Sequence, residues 1–356
     1  MKICQKVKIF SGVVLILCLI SASLIYAVSQ EVASKESAIY VPILTYHRIL
    51  QKTYSTYDLT ADQLEEELRY IKQHNYHPIT AAQFFAWRDQ PRDYPPNPIV
   101  LSFDDGPVSQ FTRALPLLQK YGFKATFFIY PIVIKDQVTL AMNWEEINKL
   151  IRAGMDVQCH TMTHPYLTQG PNESDQAYQQ RLVYELKDAK VLLEKKLNKP
   201  IDFLAYPFGW FNSKVEAEAI KAGFKGVFTV NWGSNRLDEN PLRFKRRIMT
   251  NNVTINHFQQ IIAYRPLNLQ ILSPEDIAII NAKQPIRFKI IGQDLTSVSV
   301  TIGTKRVVVT PDQNGVYTFN QFNLGRRGFY MVIIKGVDAG NNQYLGSWGF
   351  DYEYAI

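Results

Sequence analysis

The sequence predicts an α/β protein, built as a parallel sheet or (β/α) barrel, with a small all-β domain behind it. From residue 39 to about 267, apolar strand-like runs alternate with helix-like segments, which is typical of parallel α/β folds. After residue 268 only strand-like runs remain, at a spacing of about 8–12 residues with turn sequences between them, which is typical of a β-sandwich. A chain of 356 residues is long enough for one large domain and one small one.

The elements of the first region follow from their own patterns. Segment 61–75 has Leu64, Leu68 and Ile71 at helical spacing, with acidic residues in its first turn. Segment 98–106 is an apolar strand that ends in two carboxylates and a glycine. The remaining predicted strands are 39–47, 124–130, 156–160, 203–209 (with a turn at its end) and 224–230, and the remaining predicted helices are 111–122, 144–155, 174–198 and 215–223.

The second region, 268–356, is predicted to be an Ig-like β-sandwich. GQD, GTK, DQNG and DAGNN supply its turns, and the change of pattern falls near residues 273–284. Its predicted strands are 285–291, 297–302, 306–310, 315–319, 329–335 and 348–354.

Residues 1–30 are predicted to be a signal peptide or an N-terminal membrane anchor. Lys2, Lys6 and Lys8 precede the uncharged stretch 9–30. No cleavage site is ideal, so both alternatives stay open. Either one places the rest of the chain outside the cytoplasm, whether secreted, periplasmic or anchored at the cell surface. Membrane contact is expected only through this segment.

Composition excludes several classes of protein. The 46% hydrophobic and 20% charged residues exclude a disordered or coiled-coil chain. The net charge of +7 includes three leader lysines, and no basic block alternates with aromatic residues, so nucleic-acid binding is not expected. Only Cys159 lies beyond the leader, which leaves no partner for an intramolecular disulfide there.

Two adjacent carboxylates, Asp104 and Asp105, follow a buried strand. Catalytic sites of parallel α/β folds are built at the carboxyl ends of strands. Because neighbouring side chains cannot both point at one atom, one carboxylate would bind a metal ion and the other would act as a base. A solvated Asp-Asp-Gly turn is the alternative.

Two histidines, His160 and His164, lie four residues apart, so that on one helical turn their rings would share a face. With one carboxylate they would make a three-ligand metal site with open positions. No glutamate stands between them, which excludes an HExxH peptidase, and Asp104 is the candidate base. Two exposed histidines are the alternative. His47, at the end of the first predicted strand, could protonate a leaving amine or be structural.

These motifs together resemble the polysaccharide deacetylases of carbohydrate esterase family 4, the NodB-homology domains. SFDDG (102–106), HTMTHP (160–165) and YPFG (206–209) are similar to the family's three motifs in their order. The resemblance covers roughly residues 40–265 and implies a distorted (β/α) barrel. TYHR (45–48) and AYPFG (205–209) further resemble the subgroup that acts on poly-β-1,6-N-acetylglucosamine, a biofilm exopolysaccharide.

The resemblance implies a role for each matching residue. Asp104 matches the general base, and His47 matches the acid that protonates the leaving amine. Three residues match the ligands of a divalent metal, Zn²⁺ with Co²⁺ or Ni²⁺ as alternatives: Asp105, His160 and His164. The third motif, Tyr206, Pro207 and Phe208, matches the oxyanion and substrate-binding segment, in which the Phe208 backbone N–H holds the oxyanion.

The chain departs from the family in two places. Many members carry an arginine where this chain has Ala205, and that arginine orients the catalytic aspartate. Arg243, Arg246 or Arg247 could replace it, although the simpler interpretation, which we favour here, is a solvated basic turn. The family's late histidine motif is also absent from the sequence; His257 is the candidate that remains, and its surroundings predict an ordinary helix.

The sequence therefore predicts a metal-dependent enzyme that removes acetyl groups from an extracellular N-acetylglucosamine polymer. Poly-β-1,6-N-acetylglucosamine is the expected substrate. Peptidoglycan or chitin oligomers are the alternative substrates, and a non-catalytic glycan-binding module or a hydrolase of small amides are the alternative functions. Trp210 and Trp232 are candidates for the lining of a sugar groove, with core packing as the alternative.

Overall fold

The computed structural model describes residues 39–88, 90, 93–135 and 140–353. The predicted leader, residues 1–30, lies outside these ranges. Within them, the helices are all too short or too polar to cross a membrane.

The first region contains short strands that alternate with helices, as predicted. Its strands are β1 (Tyr40–Val41), β2 (Ile43–Tyr46), β3 (Ile49–Leu50), β4 (Leu59–Thr60), β5 (His77–Ile79), β6 (Pro98–Asp104), β7 (Thr126–Ile129), β8 (Asp156–Cys159), β9 (Phe203–Ala205), β10 (Gly226–Phe228), β11 (Asn235–Arg236) and β12 (Arg247–Ile248). Its helices are α1 (Ala61–Gln73), α2 (Ala81–Trp87), α3 (Leu115–Tyr121), α4 (Ile132–Lys135), α5 (Trp144–Arg152), α6 (Asp175–Val183), α7 (Ala189–Leu197), α8 (Ser213–Lys221) and α9 (Ile255–Ala263).

In the described part of the chain, eight of these strands form one parallel sheet. The order is β10-β9-β8-β7-β6-β2-β12, with β5 paired to the start of β6. All seven residues of β6 are buried, because helices cover the sheet. This curled sheet confirms the predicted (β/α) architecture.

Local sequence explains where the helices begin. Thr60, Thr80 and Asn143 each close a capping box with the third residue of the helix that follows. The predicted long helix 174–198 is continuous but contains a π-helical turn at Tyr184–Asp188 between α6 and α7. Such turns are frequent at functional sites, and this one carries the buried residue Glu185.

The C-terminal region consists of strands, as predicted. They are β13 (Arg265–Pro266), β14 (Leu269–Ser273), β15 (Ile279–Ile280), β16 (Ile286–Ile290), β17 (Ser297–Ile302), β18 (Lys305–Val309), β19 (Tyr317–Phe319), β20 (Gly328–Val337) and β21 (Gln343–Tyr352). One sheet has the order β13-β21-β20-β17-β18, with β15 beside β21, and the other has the order β14-β16-β19. Both sheets contribute to one apolar core, in which the Phe288 and Trp348 rings lie 5.9 Å apart. The immunoglobulin-like arrangement stays a prediction.

Candidate metal centre and active site

The sequence motifs converge because their strands run parallel. Asp104 ends β6, His160 follows β8 and Tyr206 follows β9, while His47 follows β2. The carboxyl ends of parallel strands meet at one edge of a sheet. There these residues line a single cleft with a volume of about 330 Å³.

Asp105, His160 and His164 form a group that could hold a metal ion. Their donor atoms all lie within 4.8 Å of one another. The Oδ1 atom of Asp105 lies 3.2 Å from Nε2 of His164 and 3.5 Å from Nε2 of His160. The Nδ1 atom of His160 lies 2.8 Å from the carbonyl oxygen of Ala205, which directs Nε2 toward Asp105. Oδ1 of Asp105 is buried without a hydrogen bond, so the donors fit a divalent cation.

The prediction that His160 and His164 lie on one helical turn is wrong. Residues 160–164 form a loop in which Thr161 (φ 67°) and His164 (φ 62°) adopt the left-handed conformation. The side chain of Thr161 accepts a hydrogen bond from the backbone N–H of His164. This tight loop, and not helical spacing, brings the two rings to 4.7 Å between centroids.

Glu185 holds this loop from the π-helical turn. Its buried carboxylate accepts hydrogen bonds from the backbone N–H groups of Met162 (3.0 Å) and Thr163 (2.9 Å) and from the Thr163 hydroxyl (2.6 Å). Charge-assisted bonds of this kind are about twice as strong as neutral ones. The histidine loop is therefore anchored by a residue that does not itself line the cleft.

The electrostatics of His164 and Asp105 suit metal binding. Burial lowers the pKa of His160, but Asp104 and Asp105 outweigh it and raise that pKa, so a bound cation would replace a proton there. Burial, and then His160, lower the pKa of His164 to about 4, so its ring is neutral near pH 7 and can act as a ligand. Burial raises the pKa of Asp105, but the neighbouring histidines outweigh it and hold that pKa well below its usual range. Asp105 is therefore anionic over the physiological range, as a ligand of a divalent cation should be.

Asp104 is buried and paired with an arginine. Its Oδ1 lies 2.8 Å from Nη1 of Arg246, and its Oδ2 lies 3.8 Å from Nε2 of His160. Burial raises the pKa of Asp104, but Arg246 and His160 outweigh it, so the carboxyl is ionised. An ionised carboxylate beside the metal group can accept a proton.

Arg246 corrects the favoured interpretation of residues 243–247 as a solvated turn. Arg246 is 0% exposed, and its Nε–H donates to the carbonyl oxygen of Thr229 (2.9 Å). Arg243 pairs instead with Glu216 and Asp276. The guanidinium of Arg247 stacks on the ring of Trp232, at 3.6 Å. The chain thus supplies from Arg246 the arginine that it lacks at position 205.

His47 lines the same cleft as the candidate metal group. Its ring centroid lies 5.6 Å from that of Tyr57, and its Nδ1 is buried without a hydrogen bond. The amide of Gln110 donates to the backbone oxygens of His47 (3.1 Å) and Asp104 (2.6 Å), which ties the ends of β2 and β6 together. His257 lies in the first turn of the separate helix α9 and does not line this cleft.

The third motif forms a tight turn whose residues have different exposures. Tyr206 and Pro207 are buried, whereas Phe208 is 46% exposed and has a φ of 58°. Gly209 also has positive φ, and a Cβ there would lie 2.0 Å from Cγ2 of Val230, so only glycine fits. Tyr206 stacks on Phe211, at 5.0 Å, so its ring serves mainly as packing.

Three aromatic side chains form the outer side of the cleft. Tyr166 stacks on Phe208 at 4.2 Å and lies 4.5 Å from Trp210, and Phe208 lies 4.7 Å from His164. Aromatic faces of this kind suit the apolar faces of sugar rings. Trp210 therefore lines the cleft, whereas Trp232 packs with Arg247 elsewhere.

Sequence reasoning missed Glu185, Gln110 and Tyr166. Glu185 does carry a signal, because it falls on the apolar face of its helix beside Leu182 and Leu186. An acidic residue on such a face needs a buried partner. Gln110 and Tyr166 carry no comparable pattern.

Fold and site together fit one class: hydrolases in which a buried carboxylate lies beside three side chains that could hold a metal ion, at the carboxyl edge of a parallel sheet. Residues 92–227 match the model of the polysaccharide deacetylase family. Residues 92–227 therefore form a polysaccharide deacetylase domain, a hydrolase domain of the kind found in carbohydrate esterase family 4.

Known proteins agree with this assignment. The chain is similar to the polysaccharide deacetylase YxkH of Bacillus subtilis, with 24% identity over 56% of this chain and 67% of that protein. It is also similar to the poly-β-1,6-N-acetyl-D-glucosamine N-deacetylase of Staphylococcus aureus, with 22% identity over 52% of this chain and 71% of that protein. The solved deacetylase PplD of Streptococcus pyogenes has the same fold, with a TM-score of 0.58, 23% identity, and coverage of 63% of this chain and 98% of PplD.

Proposed function

We propose that this protein removes acetyl groups from poly-β-1,6-N-acetylglucosamine, with Zn²⁺ as the metal and Co²⁺ or Ni²⁺ as substitutes. The observation that carries the proposal is the position of Asp104. It is an ionised, arginine-paired carboxylate within 3.8 Å of a metal-ligand histidine, in a cleft open enough for a sugar. The staphylococcal relative supports the choice of polymer.

Each catalytic residue has one task in this reaction. When bound, the divalent ion supplies Lewis acidity for the attack of water on the acetamide carbonyl. Asp104 removes a proton from the attacking water, and Arg246 keeps the Asp104 carboxylate ionised and correctly oriented. The backbone N–H of Phe208 donates a hydrogen bond to the oxyanion that develops on the carbonyl oxygen.

His47 completes the reaction. The C–N bond breaks as the imidazolium of His47 gives its proton to the departing amine, so that acetate and a glucosamine unit are released. Each turnover leaves a cationic amine on the polymer at neutral pH. The product chain would therefore adhere to anionic surfaces.

We also propose that the reaction takes place outside the cytoplasm. The uncharged stretch 9–30, which directly follows three lysines in the sequence, supports this location. Cell fractionation of the full chain tests it, and enzyme found only in the cytoplasmic fraction would contradict it.

Acetate release from β-1,6-linked N-acetylglucosamine oligomers tests the function. The assay uses protein that begins near residue 31, with Zn²⁺, Co²⁺ or Ni²⁺ added, and with Asp105→Ala as the inactive control. We expect metal-dependent release that is lost in the variant. Release only from peptidoglycan or chitin oligomers would reassign the substrate, and glycan binding without release would indicate a non-catalytic module.

A further inference from the structure

A second groove lies beside the cleft, on the C-terminal β domain. It has a volume of about 320 Å³, within the range of ligand pockets. Trp210 lines both the groove and the active-site cleft, so the two cavities share one wall. The groove is also lined by the side chains of Arg326, Tyr330, Met331 and Ile333 and by the backbone of Gly303 and Gly328.

The groove arises from the way β20 meets the deacetylase domain. Alternate residues of this strand point to opposite faces of its sheet. Val332 and Ile334 point into the β-domain core, whereas Phe329 packs on Phe211 of the deacetylase domain, with 5.6 Å between ring centroids. Met331 and Ile333 lie on the same face as Phe329 and are half-buried, so they form an apolar floor beyond the contact between the domains.

The shared wall is held from both sides. The Trp210 ring lies 4.5 Å from that of Tyr166, on the side of the cleft. On the other side, a Cβ on Gly328 would lie 2.9 Å from Cη2 of Trp210, so the indole rests directly on the backbone of β20. The position of the wall therefore depends on both domains.

We propose that this groove binds further units of the polysaccharide chain whose reacting unit occupies the cleft. This inference rests on the proposed function and extends it to the β domain. Because Trp210 lines both cavities, a polymer that leaves the cleft past this ring enters the groove directly. This continuity is the reason for choosing the same polysaccharide chain as the ligand of the groove. An aromatic wall with an apolar floor suits the C–H faces of sugar rings, while arginine donors suit their hydroxyl and acetyl oxygens.

The charges of the groove favour substrate over product. Arg326 is exposed, whereas Arg327 donates to the carbonyl oxygen of Gln169 at 2.7 Å and pairs with Glu353 at 3.3 Å, so the exposed positive charge comes mainly from Arg326. None of the described residues that line the groove carries a carboxylate. Deacetylated units are cationic and would be repelled here, whereas acetylated units are neutral. The groove should therefore hold the part of the chain that has not yet reacted.

A substrate-length series tests the inference. We would measure kcat/KM for acetate release from β-1,6-linked oligomers of increasing length, from the dimer upward, with the full chain. Arg326→Ala and Met331→Glu alter the groove without touching a residue placed in the catalytic machinery. Arg287→Ala, an exposed arginine on β16 away from the groove, is the matched control.

We expect kcat/KM of the wild type to rise with length, and both groove variants to lose about 3–10-fold on long oligomers but nothing on the dimer. If acetate is released but the groove variants match the wild type at every length, the inference is wrong and the proposed function stands. If no oligomer releases acetate, the proposed function fails and the inference fails with it. Because Arg326 is exposed, Arg326→Ala keeps the test valid even if Met331→Glu does not fold.

Discussion

The two sides of the cleft differ in how firmly their side chains are held. On the inner side, Asp104 and Arg246 are 3% and 0% exposed and bonded to each other. On the aromatic side, Tyr166 and Phe208 are 50% and 46% exposed and are held mainly by stacking. The difference matches two tasks. Proton transfer requires groups fixed within a fraction of an ångström, whereas a substrate that must leave after each reaction requires a surface that does not bind it too tightly.

The largest expected effect comes from the inner side. Asp104→Asn keeps the shape of the side chain but removes the base, so we expect kcat to fall about 10²–10⁴-fold. Metal content, measured by inductively coupled plasma mass spectrometry, should be unchanged. Asp105→Ala is the contrasting variant, because it should lose metal and activity together. Near-normal turnover in Asp104→Asn would show that the base lies elsewhere.

The second effect concerns the buried core that supports the inner side. In this core the hydroxyl of Tyr46 donates to the buried carboxyl group of Glu67 at 2.8 Å, and Tyr46 stacks on Phe103 of β6. Burial raises the pKa of Glu67 to about 8. The folded state therefore keeps this proton up to about pH 8, whereas the unfolded state loses it near pH 4.5.

It follows that the free energy of unfolding should decrease as the pH rises from about 4.5 to 8, by a few kcal/mol at most. Glu67→Gln removes the titrating group and should abolish this decrease. Urea unfolding at pH 5 and pH 8.5 measures it, with Glu66→Gln, an exposed neighbour on α1, as the control. Equal pH dependence in Glu67→Gln and wild type would mean that Glu67 is ionised in the fold.

The sequence predicted the sheet and the carboxyl-edge residues well, because both depend on local patterns. Apolar runs and helical spacing identify β6 and α1, and the strand ends then locate Asp104 and His160. Long-range contacts were not predictable in this way. Arg246 lies 142 positions from Asp104, and no pattern within 243–247 distinguishes the paired arginine from its neighbours.

The histidine loop shows a second limit of local patterns. A spacing of four is consistent with a helix, but Thr161 and His164 adopt positive φ instead. Such conformations are costly for residues other than glycine and persist only where the surroundings enforce them. Here Glu185 enforces them from 22–23 residues away along the chain, which the sequence pattern around the histidines does not reveal.

The third prediction removes that support. Glu185→Gln weakens the charge-assisted bonds to the histidine loop while keeping the size of the side chain. Because partners that orient metal ligands typically contribute 10–100-fold to affinity, we expect metal binding to weaken by about 10–100-fold. Competition with a chelator measures the affinity. Glu145→Gln, in an exposed ion pair with Lys149, should leave it unchanged, and unaltered affinity in Glu185→Gln would mean that the loop holds itself.

The smallest effect is expected on the aromatic side. Tyr166→Ala removes the ring that stacks on Phe208 and Trp210, so kcat/KM should fall about 3–10-fold, mostly through KM. Tyr166→Phe keeps the ring and should restore most of the activity. Because the Asp104–Arg246 pair does not touch Tyr166, metal content and kcat should stay near wild type. A fall in kcat as large as that of Asp104→Asn would contradict the division between the two sides, since it would mean that the aromatic residues position the reacting groups as well as the sugar.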